Sequence, residues 1–191
     1  MKKAMTFLFV SSFITCSVFS QTTKGFWLTG GNISFSTTKE HDNSAGASDL
    51  KTSAFTFAPD FGYFFINNFA AGINLSYITI HTSEGDNSSS ANSFSAGPFA
   101  RYYFGIGNNS KIFVQGNLAW GSQGYGGSQS GESISTYGFK AGPAFFLNPH
   151  VALELAVGYQ SMKTKNDYYN YTTSDFSISA GFQIHLGKPK K

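Results

Sequence analysis

Apolar residues recur at every second position over most of this chain, and one hairpin-sized pattern returns three times. It reads Ala58-Pro59-Asp60-Phe61-Gly62-Tyr63-Phe64-Phe65, then Ala96-Gly97-Pro98-Phe99-Ala100-Arg101-Tyr102-Tyr103-Phe104, then Ala141-Gly142-Pro143-Ala144-Phe145-Phe146-Leu147. Each copy meets a short turn and then an alternating run closed by an aromatic: Phe69 to Tyr77, Ile112 to Trp120, Val151 to Tyr159. The closing aromatic always lies eight positions after the first apolar residue. Eight steps of about 3.3 Å, tilted roughly 40°, climb on the order of 20 Å, close to the apolar band of a membrane-spanning barrel.

The alternation predicts eight strands, at roughly 25–37, 51–65, 69–82, 92–104, 111–122, 134–147, 150–163 and 173–187. Three connections are tight and rich in turn formers: Ile66-Asn67-Asn68, Gly105 to Ser110 and Asn148-Pro149-His150. Four are expected to be long and polar: Thr38 to Leu50, Ser83 to Ala91, Gln123 to Ser133 and Thr164 to Thr172. Short and long connections then alternate, and an even strand count leaves both termini on one side.

Period two also assigns faces. Phe55, Phe57, Phe61, Tyr63 and Phe65 share one side of strand two, with Ala54, Thr56, Ala58, Asp60 and Gly62 on the other. Strand four opposes Phe94, Tyr102 and Phe104 to Ser95, Arg101 and Tyr103, and strand seven opposes Val151, Leu153, Leu155, Val157 and Tyr159 to Ala152, Glu154, Gly158 and Gln160. The last strand sets Phe176, Ile178, Phe182, Ile184 and Leu186 against Ser177, Ser179, Gln183 and His185. A soluble ligand-carrying barrel needs the large apolar face inside. Here the small and polar face suits the cramped lumen of eight strands, and the greasy face must meet hydrocarbon. The reading is an all-β chain folded as an eight-stranded antiparallel up-and-down transmembrane β-barrel over residues 21–187. Proline removes a ladder donor, so local bulges are expected at Pro59, Pro98 and Pro143.

The termini lie outside that barrel. Met1-Lys2-Lys3 followed by the mostly apolar run from Phe7 to Phe19 has the form of a signal peptide, with removal of residues 1–20 leaving Gln21 as the mature start. Cys16 is the only cysteine, so the mature chain is expected to carry no disulfide framework. Removing Lys2 and Lys3 leaves eleven basic residues against ten acidic ones, and Lys188 to Lys191 is a short basic tail. Nucleic-acid binding is therefore not expected. Past the signal there is no apolar run long enough for a spanning helix. A content of 17% aromatic with only 12% charged residues fits a surface that meets lipid.

The signal peptide, the repeated Gly-Pro hairpins and the final strand Ala180-Gly181-Phe182-Gln183-Ile184-His185-Leu186 resemble the porin-family outer-membrane β-barrel domain, the OmpA/OmpX-type eight-stranded barrels. The resemblance covers the whole mature chain and is architectural, without catalytic residues. It implies a small integral protein of the bacterial outer membrane. Such proteins often end in an aromatic that the assembly machinery reads, whereas this chain runs on through Gly187.

The inward charges form the first candidate site. Arg101 and Glu154 each lie four residues from a turn and should share a depth in the lumen, with Asp60 and Lys140 as a second layer. Their functional reading is a salt-bridge gate over a narrow ion path. Their structural reading is charge pairing that fills the lumen. Tyr77, Trp120 and Tyr159 are expected in an upper aromatic girdle, and Tyr63, Tyr102 and Phe145 in a lower one. His81-Thr82-Ser83 resembles the His-x-Ser of lipid A deacylases, and parity turns both residues outward near the rim. The run from Gly121 to Gly131 lacks the Lys-Ser/Thr ending of a phosphate loop and is expected to be an external loop. His41, Asp42, Asp49, Glu84, Asp86, Asp167 and Asp175 are expected near the loops, where a divalent ion could bridge lipopolysaccharide phosphates. The chain has no cysteine or paired-histidine metal spacing, so neither a protein-held metal nor a cofactor is expected.

The leading expectation is a monomeric, non-enzymatic outer-membrane protein in a structural or surface-interaction role. Its polar loops would meet lipopolysaccharide, the environment or a host ligand. The alternatives are a narrow gated ion pore and, on His81 and Ser83 alone, a lipid A-modifying enzyme.

Overall fold

Eight strands, each following the alternation of its own sequence, pair with their chain neighbours and close into one antiparallel barrel. They are β1 (Trp27–Glu40), β2 (Leu50–Ile66), β3 (Phe69–Glu84), β4 (Asn87–Gly105), β5 (Ser110–Tyr125), β6 (Glu132–Asn148), β7 (Val151–Lys165) and β8 (Asn170–Leu186). The computed structural model describes residues 22–40, 50–85, 87–125, 132–165 and 170–187. Outside them fall the expected signal peptide with Cys16, the tail from Lys188, and His41, Asp42, Asp49, Asp86 and Asp167.

The register carries the barrel's geometry. Partner to partner, Trp27 leads through Tyr63, Ala71, Ala100, Gly116, Phe139 and Tyr159 to Phe176. Continuing the β1–β8 register, in which Trp27 faces Leu186, would bring Phe176 to Thr37, ten residues above the start. An eight-stranded barrel with such a stagger tilts its strands by about 40° and leaves room inside for side chains only.

The outer face is apolar along its whole circumference. Phe35, Phe61, Ile73, Phe94, Leu118, Phe139, Val157 and Phe182 are all exposed, Val157 to 63%. Such a continuous apolar surface is incompatible with a monomer in water and natural in lipid. From Leu186 up to Phe176 on β8, ten residue steps tilted about 40° rise on the order of 25 Å, which matches the apolar band of a membrane barrel.

Three local expectations are corrected. The polar stretch from Ser83 to Ala91 is not a long loop, because its serines and asparagines pair across strands: β3 runs to Glu84 and β4 starts at Asn87, with Ser83 facing Ser88. The strict alternation of short and long connections fails there. Similarly, the first part of the glycine-rich run belongs to β5, which reaches Tyr125, and residues 126–131 lie outside the described ones. The prolines do not make bulges. At each one, pairing on one side skips two residues and resumes in the same register: Phe57↔Tyr77 gives way to Asp60↔Asn74, Ala96↔Trp120 to Phe99↔Asn117, and Ala141↔Val157 to Ala144↔Glu154. A bulge would shift the register. The shifts sit instead at Phe64/Ile66 and Phe146/Asn148, beside the turns. The glycine before Pro143 has a packing reason, since a Cβ on Gly142 would lie 1.8 Å from the Leu155 carbonyl oxygen.

Nor is the lumen uniformly small and polar. Its lower part is filled by Leu28, Phe64, Phe99, Tyr103, Phe113 and Phe146, all buried. Residues 22–26 tuck beneath them. Thr22 accepts the Asn68 amide at 2.7 Å through its carbonyl, and Lys111 Nζ reaches Thr22 Oγ1 at 2.8 Å and Asn68 Oδ1 at 2.9 Å. Phe26 is buried at this end, so residues 22–26 cap the barrel.

The close approach at Gly142 predicts that Gly142→Ala lowers unfolding stability by about 1–3 kcal/mol through overpacking. Gly105→Ala, where an added Cβ meets nothing within 4 Å, should stay within about 0.5 kcal/mol. Urea titration in vesicles, followed by tryptophan fluorescence, measures both.

Candidate functional site in the barrel lumen

Alternation places Arg101 and Tyr103 on the inner face of β4 while Tyr102 and Phe104 face lipid, so one short segment supplies both a buried cation and its hydrogen-bond partner. The Arg101 guanidinium is fully buried. Its Nη1 donates to Glu154 Oε1 and Oε2 at 2.9 and 3.0 Å and to the Tyr103 hydroxyl at 2.9 Å. Its Nε donates to Gln115 Oε1 at 2.6 Å, and Nη2 lies 3.4 Å from Asp60 Oδ2. The Phe113 ring sits 4.6 Å from the guanidinium carbon, a cation–π contact that further offsets desolvation.

Asp60 ties this cluster to the rest of the wall. Asn74 Nδ2 donates to its Oδ1 at 2.7 Å, Gln183 Nε2 to its Oδ2 at 3.4 Å, and Lys140 Nζ lies 3.7 Å from the same oxygen. Two cations and two carboxylates, drawn from β2, β4, β6 and β7, therefore balance within one network. The expected two layers of Arg101 with Glu154 and Asp60 with Lys140 meet in a single one, because the guanidinium reaches both carboxylates. An arginine does this where a lysine would not: its planar fork carries five donors in fixed directions.

Asn74, Tyr103, Gln115 and Gln183 complete the network and were not among the candidate charges. Their signal was present in the alternation, as polar residues of inward parity near the depth of Arg101. What singles them out is the sidechain reach across the barrel, which one strand's sequence does not encode. Below the charges, His185 packs among Phe64, Tyr103 and Phe146 with ring centroids 5.2–5.9 Å apart. Above them lies a polar cavity of about 250 Å³ whose lining includes Asn32, Ser34, Asn117, Thr136, Gln160 and Lys140. Asp175 lines this cavity too, rather than standing with the loops.

All six expected girdle residues lie on the outer face. Tyr77, Tyr102, Trp120 and Phe145 are exposed, and Tyr63 and Tyr159 half-buried. Tyr63 packs against Trp27 at 5.1 Å, and Tyr159 against Phe139 and Phe176 at 5.5 and 5.1 Å. Trp27 is an aromatic of this lower group that the repeat did not reveal, since β1 lacks the Gly-Pro pattern. On the upper outer face His81 Nε2 lies 3.3 Å from Ser83 Oγ, and Nδ1 lies 3.0 Å from Ser90 Oγ. The ring is thus held by a serine rather than by a carboxylate that would raise its basicity.

The model of the outer membrane protein beta-barrel domain matches residues 5–183. The chain belongs to this family. Its structure is similar to that of the outer membrane protein OprG from Pseudomonas aeruginosa, at 13% identity and a TM-score of 0.54, covering 88% of this chain and 99% of that one. Neisserial surface protein A is similar at 18% identity and a TM-score of 0.49, covering 84% and 97%. At 13% identity, the likeness to OprG is one of fold. No curated protein matches. Membership of an outer-membrane β-barrel family places the chain in the bacterial outer membrane and explains the apolar circumference.

The network predicts that Glu154→Gln, which leaves Arg101 buried with half its compensation, costs about 3–5 kcal/mol of unfolding stability. Replacing both partners with Arg101→Met and Glu154→Met should cost less than the sum of the two single changes. A double-mutant cycle from urea titrations in vesicles checks this.

Proposed function

We propose that the protein is a small, non-enzymatic outer-membrane protein, exported by its N-terminal signal peptide, whose barrel is a closed anchor. The observation that carries this reading is the sealed lower lumen. Residues 22–26, the aromatic layer and the Arg101 network lie one above another across the interior. The rigid wall presents polar turns and connections at its upper end to lipopolysaccharide, the surroundings or a host surface. The outer aromatics act as the two girdles that fix its height in the bilayer.

A gated pore is the second reading, favoured by the Arg101–Glu154 and Lys140–Asp60 pairs standing in the lumen. Conduction would require separating these pairs and also displacing Phe64, Tyr103 and Phe146 beneath them. The anchor reading needs neither movement.

In planar bilayers the native protein is expected to give no discrete conductance steps. Combining Phe64→Ala, Tyr103→Ala and Phe146→Ala with Arg101→Ala and Glu154→Ala should open a measurable leak, provided the variant retains a heat-modifiable shift on gels. Ohmic steps from the native protein would favour the pore. The same orientation predicts that Ser88→Cys, on β4 beside the β3–β4 turn, reacts with a membrane-impermeant maleimide on intact cells. Protection of that cysteine until the cells are opened would reverse the assignment of the outer end.

A further inference from the structure

The barrel is zipped unequally at its one non-sequential junction. β1 pairs with β2 along fourteen residues, but with β8 along only six, from Trp27↔Leu186 to Asn32↔Gly181. Among the described residues, no β1–β8 pair continues above that point. Ile33 to Glu40 keep their strand ladder to β2, and Asn170 to Ala180 keep theirs to β7. The ladder ends one pair beyond Gly30-Gly31, at Asn32↔Gly181. Gly31 has φ +138°, a conformation that side-chain-bearing residues rarely adopt, and an added Cβ would lie 2.3 Å from the Ala58 carbonyl oxygen. The missing side chain lets β1 lie close against β2 just below the point where its pairing to β8 stops.

The gap lies at the height of lipid. Ile33 and Phe35 on one edge are 58% and 71% exposed, and Phe176 and Ile178 on the other 85% and 83%. Phe35 pairs with Phe55 and Phe176 with Tyr159, both within the apolar belt. Just inside the same edges, Asn32, Ser34, Ser177 and Ser179 line the polar cavity. The two edges also match each other. Continuing their register sets Ile33 beside Ala180 and Phe35 beside Ile178 on the lipid side, with Ser34 beside Ser179 on the lumen side. Open sheet edges are not tolerated in hydrocarbon except where they border a water-filled cavity. A seam with complementary faces and such a cavity behind it satisfies the backbone both closed and open.

We propose that the upper β1–β8 seam is a lateral portal through which the headgroup of a single-chain membrane amphiphile enters the lumen cavity, its chain staying against Ile33, Phe35, Phe176 and Ile178. The lining selects the headgroup. Asparagine, serine, threonine and glutamine side chains both donate and accept hydrogen bonds. Of the two charged groups in the lining, Lys140 is already paired with Asp60, which leaves Asp175 as an acceptor for hydroxyl groups. A cavity of about 250 Å³ suits one uncharged, hydroxyl-rich group of hexose size. The Arg101 network is its floor, so the portal ends in a binding site and not in a channel. A second copy or a foreign strand is the poorer occupant, because each edge already has a partner of matching faces in the other.

The test uses the mature protein in phospholipid vesicles and dodecyl glucoside carrying a photoreactive group on the sugar. Labelling of lumen residues in β1 and β8, read by peptide mass spectrometry, is expected for the native protein. A disulfide between Ser34→Cys and Ser179→Cys should lower it about tenfold, with recovery on reduction. The photoreactive sugar without its chain should label weakly, because it lacks the lipid route. Labelling that ignores the disulfide, equal labelling by the chainless sugar, or none within the lumen would each overturn the portal. If the first cysteine pair prevents folding, Phe35→Cys with Ile178→Cys locks the same seam from outside. Failure of both pairs to oxidise in well-folded protein would show that the edges never meet, and would overturn it too.

Discussion

In hydrocarbon every backbone N–H and C=O must find a protein partner, since each one left bare costs several kcal/mol. That constraint organises this molecule more than any side chain does. It requires antiparallel neighbours, it requires β8 to return to β1, and it turns each interruption of the ladder into a local problem with a local solution. At Pro59, where the ladder skips two residues, the Asn74 side chain lies 3.4 Å from the proline carbonyl and stands in for part of the missing pairing. At the Gly-Pro of β6, the absent Cβ of Gly142 lets β7 come close enough to resume its register two residues later.

Closing the wall creates the second problem, a lumen too narrow for water to solvate charge freely. The charges of Asp60, Arg101, Lys140 and Glu154 are tolerable because they cancel and because amides and a phenol occupy their remaining hydrogen-bond positions. Such a network does not gain stability over a well-packed apolar core by default. Its effect is directional: it cross-braces β2, β4, β5 and β7 through one guanidinium and adds β6 through Lys140 on Asp60, which apolar packing could not do at a chosen height. The aromatics beneath supply the burial. The barrel is therefore stiff and filled at the end that residues 22–26 cap, and roomy and polar at the other. The weak β1–β8 seam lies beside the roomy end.

The sequence was legible wherever a property is carried by alternation. Eight strands, the lipid-facing set from Phe55 to Leu186 and the inward parity of the four charges all follow from period two, because a strand's neighbours do not change which way its side chains point. Legibility failed where composition stood in for pairing. Ser83 to Ala91 reads as loop because serine and asparagine favour turns, yet two polar strands facing one another above the membrane pair as readily as apolar ones. Phe64, Phe113 and Phe146 read as ordinary aromatics, although their parity alone marked them as inward.

By itself, then, the order of residues determined the strand count, the two faces, the membrane as solvent and the identity of the charged candidates. The tertiary structure alone decided that Arg101 joins two carboxylates from opposite walls, that residues 22–26 cap the lumen, that prolines skip rather than bulge, and that β1 and β8 part above Asn32 and Gly181. The division has one physical cause. Side-chain direction is a local property of a strand, whereas stagger, cross-lumen reach and the closing of a seam depend on where all eight strands stand relative to one another.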